Sequence, residues 1–194
     1  MAGALNGQRI AIIATNGVEQ AELEQPRQAV DRAGARSTLV SLSTDAIQAM
    51  NSDIDKGDTF TPDAAIGDVS ADDYDALILP GGTINADQLR QSGDVVAFVQ
   101  AIFAAGKPVG AICHAPWTLV EADLVRGRTL TSYPSLRTDI RNAGGTAVDE
   151  EVVVDRGLVT SRNPNDLDAF CAKIVEEFGE GAHPVHDEGA TAQA

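Results

Sequence analysis

Three short, largely apolar runs, residues 9–14, 75–79 and 109–112, and a more mixed one, residues 37–42, recur along the first two thirds of the chain. Runs of this length bounded by Gly, Pro, Asn or Ser read as strands, and unbroken apolar character points to strands buried on both faces of a parallel sheet. Helical spacing fills the intervals. Ala29, Val30 and Ala33 share one face of a helix stopped by Gly34, with Pro26 as a kink or an effective start. Residues 95–105 form a second helix, ending at Gly106. After the strand at 109–112, Pro116 opens a short helix over 117–124, at a position where its missing N–H costs nothing. Downstream, the pattern predicts a short strand at 129–132, a helix at 136–143 closed by Gly144-Gly145, and a hairpin of 152–154 with 158–160. A last helix at 166–178 carries Leu167, Phe170, Cys171, Ile174 and Val175 at helical spacing, which reads Cys171 as core. Residues 44–70 hold many turn formers and read as a surface excursion with one hairpin.

Strands alternating with helices imply an α/β fold, a three-layer sandwich around a mostly parallel, flavodoxin-like sheet. The expected organisation is one domain over residues 1–178 and a flexible polar tail over 179–194. That tail contains His183 and His186 beside Asp187, an H-x-x-H pair without preformed geometry for a metal, so no metal and no cofactor are expected.

Charge narrows the partners. The net charge is −15, with 19 Asp among 29 carboxylates and Lys only at 56, 107 and 173. Nucleic acid needs a basic face and is excluded as a partner. The Asp-rich, Lys-poor composition fits either simple solubility or a salt-adapted host. No apolar run reaches the length of a membrane span, and residues 1–8 lack a signal peptide's basic start and apolar stretch. Two cysteines without a disulfide framework suit a reducing cytoplasm.

In parallel sheets the functional crevice lies beyond the carboxyl ends of the strands. Three stretches deliver chemistry to that edge: Glu19 after the first strand, Gly81-Gly82 after the third, and Cys113-His114 after the fourth. A thiol at a strand-to-helix corner is pushed out of the sheet, and the backbone N–H groups facing it favour thiolate and can hold an oxyanion. This is a nucleophile elbow with cysteine in the nucleophile's place. A carboxyl beside such a thiolate must be protonated, so Glu19, if it touches Cys113, donates a hydrogen bond; the plainer alternative is an exposed residue complementing a helix dipole. His114 needs an orienting acceptor, and Asp87, from this chain or a neighbouring subunit, is the candidate; the alternative for Asp87 is helix N-capping.

VGAICHAPW (109–117), LPGG (79–82), GVEQAEL (17–23) and RGRTLTSYPS (126–135) together resemble the PfpI family, the intracellular protease, general stress protein and protein deglycase group of the class I glutamine amidotransferase-like superfamily. The resemblance runs from about residue 8 to 178. It implies that Cys113 is the nucleophile, His114 the adjacent base, Glu19 the carboxyl on the nucleophile, and the backbone of Gly82 and His114 the oxyanion site. It also implies a homodimer or larger homo-oligomer, in which an acid shortly after the double glycine, nearest in position to Asp87, completes a triad from a neighbouring subunit. Ala115 stands where many relatives carry Gly. Residues 160–165 lack the late His of true glutaminase subunits, which argues against ammonia transfer from glutamine.

The expected activity is therefore a cysteine-dependent hydrolase in stress protection. The resemblance implies peptides, methylglyoxal- or glyoxal-modified proteins, or free methylglyoxal as substrates. The alternatives are a redox-sensing or chaperone-like stress protein using oxidation of Cys113, and an idle binding domain.

Overall fold

The computed structural model describes residues 3–183. The elements in chain order are β1 (Arg9–Ile13), α1 (Gln20–Arg32), β2 (Arg36–Ser41), β3 (Ile47–Asn51), β4 (Asp55–Phe60), β5 (Ala64–Ala65), β6 (Ala76–Leu79), α2 (Thr83–Arg90), α3 (Gly93–Ala104), β7 (Val109–Ile112), α4 (Pro116–Glu121), β8 (Thr129–Leu130), α5 (Arg137–Asn142), β9 (Thr146–Ala147), β10 (Val152–Asp155), β11 (Leu158–Ser161) and α6 (Leu167–Glu180).

Seven strands form the main sheet in the order β10-β11-β7-β6-β1-β2-β5. Every pairing in it is parallel except β10 with β11. The apolar runs alternate between two cores, as the period of two in a strand requires. Ala11, Ile13, Leu77, Leu79, Val109 and Ala111 face a core completed by α3, α4 and α5. Ile10, Ile12, Ala76, Ile78 and Ile112 face a second core, filled by Leu23 and Val30 of α1 and by Phe170, Ile174 and Phe178 of α6. Two helical layers thus clamp one sheet, the expected three-layer arrangement.

Several elements depart from the sequence pattern. The helix α1 begins at Gln20 and carries Pro26 inside it rather than at its start. Proline offers no N–H to the carbonyl four residues back, which here is that of Glu22. The helix α2 was hidden by its short length and by Ile84, which faces outward while Asn85, Ala86 and Leu89 are buried. The strand expected at 129–132 shrinks to two residues that pair only with β9, outside the main sheet. Cys171 is half-buried at the edge of the α6 core. The expected tail is pinned over its first residues: α6 runs to Glu180, and the His183 N–H donates to Gly106 O at 2.8 Å. The rest of the tail, including His186 and Asp187, lies outside the described residues. Among the described residues, no helix is long and apolar enough to cross a membrane.

The excursion contains the expected hairpin, β3 with β4, a two-stranded sheet of its own. It is fastened to the loop after β1 by Gly17 N–H to Gln48 O (2.8 Å), Met50 N–H to Val18 O (2.8 Å) and Gln48 N–H to Asn16 Oδ1 (2.8 Å). Its tip, Ser52 and Asp53, is left-handed at both residues (φ 55° and 61°).

Close packing makes one glycine of the sheet testable. A Cβ on Gly110 of β7 would lie 2.8 Å from Ile174 Cγ2 and 3.1 Å from Phe170 Cζ. Gly110→Ala should therefore lower unfolding free energy by about 1–3 kcal/mol through overpacking. Urea denaturation with an unchanged m-value would measure it; an unchanged midpoint would mean that α6 does not press on β7 this closely.

Candidate active site

At the end of β7 the chain turns sharply. Cys113 has φ 63°, a left-handed conformation that costs a non-glycine residue on the order of 1–3 kcal/mol unless its surroundings enforce it. They do so here through both of its backbone groups: the Cys113 N–H donates to Ser161 O (3.0 Å) and the Tyr133 N–H donates to Cys113 O (2.9 Å). The Cys113 side chain is thereby directed out of the sheet edge, just before α4 begins at Pro116.

The loop after β6 closes over it. A Cβ on Gly81 would collide with a Glu22 carboxyl oxygen, Cys113 Cβ and Ile112 O, so only glycine fits there. Gly82 is left-handed (φ 89°), and its N–H, like that of His114, is directed at the Cys113 sulfur. Asn85, fully buried, ties this loop to the loop after β1. Its Oδ1 accepts from Thr15 N–H at 2.7 Å, and its Nδ2 donates to the carbonyls of Pro80 and Gly81 at 3.0 Å each. Nothing in the residue type marks Asn85 as this strut; it became legible only when the two loops were seen side by side.

The carboxyl that meets the thiol belongs to Glu22, not to Glu19. Glu22 is fully buried, accepts from Gly81 N–H at 2.9 Å, and lies beside the Cys113 thiol, close enough for each group to influence the other's protonation. Burial, and secondarily the charge of Glu19, pushes its pKa up to about 8, so it is protonated at neutral pH. Glu19 stands one residue before the helix, and its carboxylate instead accepts from Ser52 N–H at 2.8 Å on the hairpin tip. Periodicity holds the missed signal: Glu22, Pro26 and Val30 are spaced by four and share the buried face of α1.

Burial is also the largest influence on Cys113. It raises the thiol pKa above its ordinary value, and the Glu22 charge, when present, raises it further; the Gly82 and His114 N–H groups pull it down without prevailing. Those N–H groups favour the thiolate, as expected, but burial outweighs them. A base is needed, and His114 Nδ1 lies 3.2 Å from the sulfur. Burial lowers the His114 pKa, and the charge of Asp53 opposes that shift, which leaves the ring neutral at neutral pH.

The acid behind His114 comes from an unexpected place. Thr83 Oγ1 lies 3.3 Å from His114 Nε2 and donates to Asp53 Oδ2 at 2.6 Å, while Asp53 Oδ1 accepts from Thr83 N–H at 2.8 Å. Because the Thr83 hydroxyl proton is committed to Asp53, its oxygen accepts from Nε2–H, and this tautomer leaves Nδ1 free to take the thiol proton. Tyr133 stacks on the imidazole (centroids 4.5 Å apart), and Trp117 meets it edge-on at 5.4 Å. Asp87 is exposed on α2, where its carboxylate accepts from Gln91 Nε2 at 3.0 Å, and within this chain it does not face His114. Within this chain, the acid nearest the imidazole comes from the hairpin tip, set apart as a surface excursion in the sequence pattern.

Glu19, Glu22, Ser52, Asp53, Gly82, Cys113, His114, Tyr133 and Pro164 line a cleft of about 170 Å³. Away from it, Glu177, Glu180 and His183 bring ligand-type atoms within 4.8 Å of one another, and His183 Nε2 is already 2.9 Å from Glu177 Oε1.

A parallel α/β sheet with a strained cysteine corner, an adjacent histidine and a buried protonated carboxyl defines a class of cysteine-centred proteins. The DJ-1/PfpI family model matches residues 8–177, and the chain belongs to that family. It is 37% identical over 172 residues to an uncharacterized protein of Staphylococcus haemolyticus, spanning 88% of this chain and 97% of that one. A similar protein of Staphylococcus saprophyticus is 38% identical over 175 residues, covering 89% and 98%. Among solved structures, Drosophila melanogaster DJ-1beta superposes with a TM-score of 0.81 at 30% identity, over 89% of this chain and 90% of that one. A two-domain Anabaena variabilis protein with DJ-1/ThiJ/PfpI-like and ferritin-like domains gives 0.83 at 32% identity; 96% of this chain is covered, but only 52% of that protein.

The protonation of Glu22 has a measurable consequence. Its folded-state pKa lies above its unfolded one, so the fold holds a proton that the unfolded chain releases between pH 4.5 and about 8, and stability falls as pH rises through that window. From pH 5 to 8 the wild type should lose more than about 1.4 kcal/mol relative to Glu22→Gln, the equivalent of one pKa unit. Chemical denaturation at several pH values checks this; parallel curves would show that Glu22 is ionised in the fold.

Proposed function

We propose that the protein is a cysteine-dependent hydrolase that attacks small electrophilic carbonyl carbons, with methylglyoxal- or glyoxal-modified protein side chains or short peptides as substrates. The observation that carries this reading is the Cys113 sulfur, held at a left-handed corner with His114 Nδ1 at 3.2 Å and two backbone N–H groups directed at it. In this reading Nδ1 takes the thiol proton as the sulfur adds to the carbon. The N–H groups of Gly82 and His114 receive the developing oxyanion. His114 then returns the proton to the leaving group, and water releases the product from the sulfur. The small size of the cleft supports a carbonyl adduct or the end of a side chain over a long stretch of polypeptide. Free methylglyoxal would add to the same thiol but carries no leaving group: its hemithioacetal would isomerise, by proton transfer between the two carbons through His114, to a lactoyl thioester that water cleaves to lactate. Stress protection in the cytoplasm, and a homodimer or larger homo-oligomer in which Asp87 approaches a neighbour's site, belong to the same proposal.

A second reading draws on a specific feature. The protonated Glu22 carboxyl and the two N–H groups that surround the sulfur are also donors for a sulfinate, as a peroxide sensor would require.

Cys113→Ser should reduce turnover of methylglyoxal and of a methylglyoxal-modified peptide to background, measured by loss of the carbonyl. Unchanged turnover in that variant would end the hydrolase reading, whereas absent turnover with fast peroxide oxidation of Cys113 in the wild type would favour the sensor.

The relay through Thr83 is testable separately. Asp53→Asn should lower kcat/KM by about 10–100-fold, less than the loss of a general acid–base group itself because Asp53 acts through Thr83 and His114. Because the Asp53 charge opposes the lowering of the His114 pKa, the acid limb of the pH profile should also move to lower pH. A merely structural role for Asp53 would lower the rate without moving that limb.

A further inference from the structure

The charges around the cleft are all of one sign. Glu19 and Asp53 border it, the protonated Glu22 closes its floor without adding charge, and no lysine or arginine is among the described residues that line it. Arginines that flank the lining residues in sequence are already engaged: Arg27 with Asp63, Arg128 with Asp155, Arg162 with Asp149 and Asp166, Arg137 with Asp149, and Arg90 with Glu121. The imidazole of His114 is buried and adds no positive charge while neutral. Glu19 is only 8% exposed, and Asp53 is half-buried with both oxygens engaged by Thr83. Carboxylates placed this way are less screened by salt than surface charges, and their field falls mainly on whatever enters the cleft.

We propose that this cleft selects by charge, admitting neutral or cationic electrophiles and rejecting those that carry a carboxylate, with Glu19 as the specificity-determining residue. The substrate class this names is an uncharged dicarbonyl, or its adduct on a lysine or arginine side chain, in contrast to keto acids such as glyoxylate. Glu19 suits the part because its carboxylate lines the cleft without touching the sulfur or the imidazole; its hydrogen bond goes to the Ser52 N–H. The proposal rests on the reading of Cys113 as nucleophile but not on turnover.

Alkylation tests it. The Cys113 sulfur displaces iodide from iodoacetamide or from iodoacetate, forming one S–C bond and releasing one iodide, and mass spectrometry of the Cys113 peptide separates this from reaction at Cys171. The ratio of the two rate constants cancels the thiolate fraction, so a shifted thiol pKa in a variant drops out. Relative to a neutral cysteine amide, the iodoacetamide-to-iodoacetate ratio at Cys113 should be at least about tenfold higher, the size expected of partly buried charges. Glu19→Gln, which keeps the shape and removes the charge, should bring that ratio down at least about threefold, part of the same electrostatic effect. Bromoethylamine, being cationic, should show the opposite bias. A ratio equal to the reference, or one unmoved by Glu19→Gln, overturns the proposal while leaving the hydrolase reading intact. A high, Glu19-dependent ratio in a protein that turns over no carbonyl substrate supports it and removes the hydrolase reading instead. Failure of Cys113 to react with all three reagents overturns both.

Discussion

Everything at this site depends on a proton that the fold keeps where water would remove it. Glu22 is sealed beneath the Cys113 sulfur by Gly81, and burial raises its pKa to about 8. If that carboxyl were charged, it would repel any thiolate formed beside it; protonated, it is a donor. The neighbouring features serve this arrangement. Gly81 has no side chain because the carboxyl occupies that space, and the buried amide of Asn85 locks the loops after β1 and β6 together above it. The left-handed corner at Cys113 sets the sulfur against that carboxyl and the N–H groups around it.

Two charge relationships divide the chemistry. In the proposed reaction a neutral acid and two N–H groups would stabilise negative charge at the sulfur, and a neutral imidazole would accept its proton. The second half works only if Nε2 holds its hydrogen, which Thr83 and Asp53 arrange from outside the main sheet. A thiol whose pKa is raised by burial is a poor nucleophile until such a base acts on it, so reactivity is tied to the integrity of the whole constellation.

The architecture was legible because strands buried on both faces show as unbroken apolar runs, and 9–14, 75–79 and 109–112 are of that kind. Cys113 and the double glycine were legible because strand ends in a parallel sheet share one edge. The two acids were not. Glu19 and Glu22 stand one helical turn apart, and distinguishing them required knowing that the helix begins at Gln20, ahead of Pro26. Asp53 sits thirty residues before Thr83 in a segment without hydrophobic pattern, and no local signal connects a hairpin tip to a distant imidazole. Sequence proximity favoured Asp87, which α2 carries to the surface and away from the His114 of its own chain.

The hairpin that delivers Ser52 and Asp53 is a sheet of its own, joined to the body largely through the loop after β1. Nucleophile, base and buried carboxyl all stand on the central sandwich, whereas the outer acid and the group holding Glu19 arrive on an appendage. Such a division lets natural variation act on the two parts at different rates. Changes in the sandwich would disturb the thiol and imidazole themselves, whereas a hairpin of altered length or tip residues would give the same thiol a new clientele.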